Sequence, residues 1–367
     1  VTSALPIPTT LDEVPAAVES ALREFFDHAV PAAAGIDPRV GTAADVLRDF
    51  VLQGGKRVRP RFAFAGWLAG SSATGRDTTA APSAPDAADA LRIAAALELV
   101  QACALIHDDI IDRSDTRRGN ATVHRVFEQR HRRDGWSGDP AHHGLAAAIL
   151  VGDLALAWAD DMALPLPPAV AQVWAAMRTE VLGGQYLDIV NEADGDESIG
   201  AAYRVMRFKT AAYTVARPLE LGATLAGAPA GLIEDLRSVG HALGIAFQLR
   251  DDLLGVFGDP DLTGKPSGDD LVAGKRTALL AVGLARATER DRDLADRLRD
   301  CVGRPLTDAE VGTARTILAD VGAVDEIEQQ ISGLLDKALT TLQRADLTDS
   351  VRDDLTAFAH RIAHRAT

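Results

Sequence analysis

The chain has 367 residues, of which 47% are hydrophobic and only 5% aromatic, and its formal charge is −15. That length allows one large domain or two smaller ones, and that charge repels nucleic-acid phosphates, so a nucleic-acid partner is excluded and any anionic ligand must meet a local basic site. Ala and Leu abound while alternating Val-Ile-Thr runs are scarce, which predicts an all-α fold.

Residues 1–15 carry no basic or apolar leader pattern and read as a flexible tail, and 16–367 as a single all-α domain. Helical periodicity predicts helices over 15–30, 42–53, 58–69, 86–113, 143–164, 167–193, 198–225 and 231–257, with shorter ones beyond. Gly70 to Asp86, rich in Ser, Thr, Ala and Pro, reads as a surface loop, and Arg132 to Gly144 as a second. Gly258 to Gly274 contains Pro260, Gly264, Pro266 and Gly268 and reads as a lid beside a charged site. The longest apolar stretches are broken by Arg92, Glu98 and Asp153, so no transmembrane segment is expected. Cys103 and Cys301 are isolated in apolar helical contexts, which predicts buried free thiols in a reducing compartment, the cytoplasm.

Two helix ends carry carboxylates where aliphatic side chains belong. Asp108-Asp109-Ile110-Ile111-Asp112 follows the stripe Leu97, Val100, Ala104 and Leu105; Asp251-Asp252-Leu253-Leu254-Gly255 follows Leu243, Ile245, Phe247 and Leu249. One such motif reads most simply as a solvated face. Two at the ends of core-facing stripes do not, because like charges turned inward need cations. The i, i+4 spacing puts Asp108 and Asp112 on one face with Asp109 aside, and Gly255 takes the matching place after Asp251. Carboxylates in this pattern predict hard divalent metals gripping a polyphosphate.

The basic complement is concentrated in a few places. Gly54-Gly55-Lys56-Arg57-Val58-Arg59-Pro60 joins two predicted helices, Arg117-Arg118-Gly119 follows the first acidic motif, Lys209-Thr210 lies on a helix, and Lys265 and Lys275 flank the Gly-rich loop. Together they predict two anion sites, one bridged by metal and one held by Lys and Arg alone.

In this order the motifs GGKRVRP (54–60), DDIIDRSDTRRG (108–119), GGQYLD (183–188), FKT (208–210) and the segment 247–277 resemble those of the trans-isoprenyl diphosphate synthases. Those enzymes condense isopentenyl diphosphate head-to-tail with dimethylallyl, geranyl or farnesyl diphosphate. The resemblance implies the isoprenoid synthase helical bundle with a central cavity, a homodimer, and three Mg²⁺ ions for which Mn²⁺ can substitute. It implies that Asp108, Asp112 and Asp251 hold metal, with Asp109, Asp252 and Asp188 supporting them as ligands, through water or from behind. Arg117, Lys209 and Lys265 would bind the allylic diphosphate. Lys56, Arg59 and Arg118 would bind isopentenyl diphosphate with Gln101 close by, and Gln185 and Lys275 complete the substrate-binding set. Thr210 and Gln248 would face the reacting carbons. Gly255 departs from the pattern, since many members carry Asp there; a carboxylate acting through water would be lost at some cost in metal binding without abolishing catalysis.

Product length is expected to depend on the helix before Asp108, where one turn of about 5.4 Å matches one extended C5 unit. Cys103 and Ala104, one turn back, are too small to close a floor, and Val100 and Leu97 lie one to two turns deeper. Geranylgeranyl diphosphate (C20) is therefore expected over farnesyl diphosphate (C15), with C15 or a longer-chain diphosphate as the alternative, unless a helix around Ala146–Ala157 supplies the floor. A class I terpene cyclase would share the first motif but not need Lys56 and Arg59. A non-catalytic prenyltransferase subunit would not be expected to keep the first motif complete.

Overall fold

The computed structural model describes residues 8–74, 84–259 and 268–363, and among these the only strands are the antiparallel pair β1 (Thr116–Arg117) and β2 (Asn120–Ala121). The all-α expectation is met. The backbone forms two compact units, Val1–Ala171 with Leu221–Ala228, and Gln172–Glu220 with Pro229–Thr367.

The first unit is built on α4 (Ala84–Ile111), which packs against α1 (Val14–Ala34), α2 (Pro38–Leu52), α3 (Val58–Ala73) and α6 (Pro140–Ala163). Leu91, Ala94, Ala95, Ala96, Leu97 and Leu99 are all fully buried, on every side of α4. A helix that is apolar all round has to be enclosed. Among the described residues Ala87–Ile111 is the one stretch long and apolar enough to cross a membrane, and 72% of its apolar window is buried inside the protein. Packing also reaches into the stretch read as a tail: Leu11 and Val14 are buried, and Thr9 donates to Glu13 through both N–H and hydroxyl.

Several expected loops are shorter than the sequence suggests. Gly70–Ala73 belong to α3 and Ala84–Asp86 to α4, leaving 75–83 outside the described residues. The loop expected over 132–144 contracts to 134–139, because α5 (Val123–Arg133) precedes it. That helix was hidden because its buried face combines Val123 and Phe127 with His124, Glu128 and His131, which blurs the apolar period.

The second unit contains most of α7 (Pro168–Asp194), α8 (Ile199–Val205), a π-helical stretch (Met206–Ala216), the start of α9 (Arg217–Leu225), α10 (Ala230–Phe257), the short α11 (Asp269–Ala273) and α12 (Ala278–Arg290). The single helix expected over 198–225 is thus three pieces with a widened middle. Gly240 and Gly244, one turn apart on α10, let that middle approach closely: a Cβ at either would meet Ala216 N at 2.8 Å or Ala211 Cβ at 2.7 Å. The next i+4 positions on the same face are Gln248 and Asp252. Of the expected lid, residues 260–267, Lys265 among them, lie outside the described residues, and 269–273 are helical.

Candidate active site

In the first unit the acidic motif ends α4. Asp108 is half-buried, Asp112 exposed, and Asp109 fully buried at 0% exposure. The side chain set aside by i, i+4 spacing therefore points into the protein, where Arg117 meets it: Nη2 lies 2.6 Å and Nε 2.7 Å from Asp109 Oδ1. The same Nη2 is 3.6 Å from Asp108 Oδ2. Burial raises the Asp109 carboxyl above the usual carboxylate range, against the pull of Arg117. Burial also opposes the charge of Arg117, but the Asp109 bond and the charges of Asp109, Asp108 and Asp112 outweigh it and raise its pKa. Arg117 enters on β1, whose hairpin turns through Arg118 and Gly119, both with positive φ.

Arg118 donates from Nη1 to Gly54 O at 2.7 Å, so the two sequence-distant basic segments meet. Gly55 permits that contact, since a Cβ there would lie 3.2 Å from Arg118 Nη1. Burial lowers the pKa of Arg118; Glu98 counteracts this, and the charges of Arg117, Arg57 and Arg59 lower it further. Four guanidinium groups, those of Arg57, Arg59, Arg117 and Arg118, thus lie close enough for the charges of the other three to act on Arg118. Lys56 is exposed and Arg59 half-buried. Arg57, unassigned in the sequence reading, is buried, pairs with buried Glu98 of α4 and donates to Val51 O at 2.8 Å. It fixes the GGKRVRP segment to the core helix. Gln101 Oε1 is buried and lacks a hydrogen-bond partner among the described residues.

The positions expected to govern product length also lie on α4. Leu97, Val100 and Cys103 are buried and Ala104 is half-buried. Beside Cys103 Sγ, at 3.8 Å, is His107 Nδ1, whose Nε2 is 3.1 Å from Ile149 O on α6. Gly152 leaves room for that ring, with His107 Cδ2 2.5 Å from where a Cβ would stand. Histidine thus joins α4 to α6 beside Cys103 and directly before Asp108, a contact with no signal in the spacing.

In the second unit the FKT motif lies inside the π-helical stretch, a geometry that recurs at functional sites. Gly184 of GGQYLD brings α7 against it, a Cβ there falling 2.7 Å from Phe208 C, and Asp188 Oδ2 lies 2.6 Å from Lys209 Nζ. Thr210 Oγ1 donates to Gln248 Oε1 at 2.9 Å, Gln248 Nε2 donates to Asp252 Oδ1 at 2.9 Å, and Ala278 N donates to Asp252 Oδ2 at 3.1 Å. Asp252 is buried, and its carboxyl is pushed up to about 7, by burial above all, with the Gln248 and Ala278 bonds opposing and the Asp270 and Asp251 charges adding. Asp251, Gln185 and Lys275 are half-buried.

The donors fit a hard divalent cation. Both motifs offer carboxylate oxygen alone, and Asp109 Oδ2 is a buried acceptor without a hydrogen-bond donor among the described residues. Among the described residues no three His, Cys, Asp or Glu side chains close into a protein-only metal cage. Magnesium does not need one, being held by one or two carboxylates together with substrate phosphates.

A helical chain with two Asp-rich helix ends, one meeting Arg117 and one joined through Gln248 to Thr210 of the π-helical stretch, has the arrangement of an enzyme that acts on diphosphates. Residues 41–318 match the family model for polyprenyl synthetase. A crystal structure of a geranylgeranyl pyrophosphate synthase from Corynebacterium glutamicum, complexed with isoprenyl diphosphate and magnesium, has a TM-score of 0.89 at 47% identity and covers 97% of this chain and 99% of that one. A geranylfarnesyl diphosphate synthase of Aeropyrum pernix is 32% identical over 307 residues, 82% of this chain and 87% of its own. A geranylgeranyl diphosphate synthase of Mycobacterium tuberculosis is 33% identical over 288 residues, 76% of this chain and 75% of its own. The chain belongs to the polyprenyl synthetase family, has the isoprenoid synthase helical fold, and is a prenyl-chain-elongating transferase.

Proposed function

We propose that the chain condenses isopentenyl diphosphate head-to-tail with an allylic diphosphate and releases geranylgeranyl diphosphate as its main product. The observation that carries the diphosphate chemistry is that Arg117 bridges Asp108 and Asp109 while the charges of Arg117, Arg57 and Arg59 all act on Arg118, in a chain of net charge −15. Such a concentration answers an anion that metal alone does not neutralise.

Asp108 and Asp112 in the first unit and Asp251 in the second are the proposed metal ligands. Bound Mg²⁺, three ions by analogy with the family, supplies charge that stabilises the departing diphosphate. Arg117, fixed by Asp109, and Lys209, fixed by Asp188, bind allylic diphosphate oxygens, with Lys275 as a further cation. Lys56, Arg59 and Arg118 bind isopentenyl diphosphate, with Gln101 and Gln185 alongside. Thr210 is held by Gln248, which Asp252 holds in turn, so both side chains meet the reacting carbons in one orientation. The allylic C–O bond breaks, the isopentenyl double bond supplies the new C–C bond, and the departed diphosphate takes the proton. Exclusion of water keeps the allylic cation from capture.

The C20 assignment rests on Cys103 and Ala104, whose side chains are too small to stop growth at C15. A homodimer belongs to this reading, supported by the exposed apolar row Leu145, Ile149 and Leu150 on α6. So does a reducing, cytoplasmic setting, supported by the buried free thiols of Cys103 and Cys301. The test is incubation with labelled isopentenyl diphosphate, Mg²⁺ and each of the dimethylallyl, geranyl and farnesyl primers, followed by product sizing. Label is expected in C20. A product stopping at C15 would overturn the length assignment, and no incorporation with any primer would overturn the whole reading.

A further inference from the structure

The second acidic motif lacks a side chain at its fifth position, Gly255, yet the volume beside that position is filled. A Cβ built on Gly255 would collide with the carboxylate of Asp270, whose Cγ stands only 2.6 Å away. Asp251 and residue 255 share one face of α10 by their i, i+4 spacing. A carboxylate projecting from 255 would begin where the Asp270 carboxylate now lies.

The backbone holds Asp270 there. It sits in α11, bounded by Gly268 at φ +84° and Gly274 at φ +79°, a left-handed conformation that suits glycine. Lys275 N donates to Asp270 O at 3.0 Å, Gly303 N donates to Leu271 O at 2.8 Å, and the Leu271 side chain is buried. The turn is therefore fixed at Asp270 and at the residue after it, and the half-buried Asp270 carboxylate meets α10 at Gly255, which has no side chain.

We propose that Asp270 supplies the third carboxylate of the second acidic motif, holding the same metal as Asp251 from α11 in place of a residue at 255. The motif is then complete in space though incomplete in sequence. This inference rests on the metal-clamp reading above and adds to it a residue which that reading leaves without a role. It also explains why glycine stands at 255: any side chain there would displace the Asp270 carboxylate.

The test moves the carboxylate back. Binding of inorganic pyrophosphate to the full chain is followed by calorimetry as Mg²⁺ is varied, for the wild type, Asp251→Asn, Asp270→Asn, Asp270→Ala and the double variant Asp270→Ala/Gly255→Asp. Melting in EDTA establishes that each is folded, and the isosteric Asp270→Asn carries the test should the alanine variant not fold. Asp270→Asn is expected to raise the half-saturating Mg²⁺ by about 10- to 100-fold, as loss of a supporting group at a metal site does. Restoring a carboxylate at 255 in the Asp270→Ala background should bring it back toward the wild-type value. If Asp251→Asn weakens binding but Asp270→Asn does not, the role of Asp270 is overturned and the clamp stands. A double variant as weak as Asp270→Ala would contradict the equivalence of the two positions. An Asp251→Asn variant indistinguishable from wild type would overturn the clamp itself, and the inference with it.

Discussion

The two acidic motifs bury the same position and neutralise it by different means. In each, the first aspartate is half-buried and the second is enclosed: Asp109 at 0% exposure and Asp252 at 3%. Asp109 meets a cation, Arg117, which also reaches toward Asp108. Asp252 meets a side-chain amide and a backbone N–H, and its carboxyl is pushed up to about 7. The first motif therefore pairs its buried carboxylate with a guanidinium and fixes the orientation of Arg117. The second can shed its charge and uses its oxygens to orient Gln248. Similar sequence does separate work, decided by whether the facing element brings a cation or a neutral donor.

The largest effect expected from breaking this comparison is catalytic. Asp108→Ala and Asp251→Ala should each lower kcat by at least about 100-fold, the loss typical of one charge-stabilising group, measured by steady-state incorporation of isopentenyl diphosphate. Next comes stability, where the two buried aspartates should part company. Arg117→Ala leaves Asp109 enclosed without its cation and should cost about 3 kcal/mol in urea unfolding. Gln248→Ala removes one neutral hydrogen bond from a carboxyl that can protonate, and should cost about 1 kcal/mol. Equal losses would erase the distinction.

A pH series sharpens it further. Folding raises the Asp252 carboxyl from an ordinary value of 3.8 to about 7, so between these values the folded chain holds a proton that the unfolded chain has released. The stability this contributes is fully present below 3.8 and is lost as pH rises through about 7. In EDTA, the difference in unfolding free energy between wild type and Asp252→Asn should therefore shift steadily across that window and level off above it; a pH-independent difference would contradict the assignment. The smallest effect concerns the buried thiol one turn before His107. Cys103 is pushed up to about 12, by burial first and the Asp153 charge second, so at pH 8 it should resist an aromatic disulfide reagent until the chain is unfolded.

Much of this was legible in the residues. The all-round apolar run of α4, the two acidic helix ends and the ordered basic motifs pointed to an all-α diphosphate enzyme before any coordinates. What was hidden depended on contacts between distant residues. Periodicity cannot report that Asp109 turns inward to Arg117, because Arg117 arrives by a hairpin. Helix α5 was missed because histidines and a glutamate share its buried face. The π-helical widening at Lys209 and Thr210 follows from close packing of Gly184, Gly240 and Gly244, which a helical pattern does not register. Gly255 looked like a lost carboxylate, and the neighbouring turn that presents Asp270 is visible only in three dimensions.

The proposed reaction requires this chain to grip diphosphate through divalent metal held by its aspartates. Calorimetry of the wild-type chain with inorganic pyrophosphate, with Mg²⁺ present and then with EDTA in its place, tests it most directly. Binding should saturate with Mg²⁺ and be almost wholly lost in EDTA; equal binding under both conditions would rule out a metal-held diphosphate.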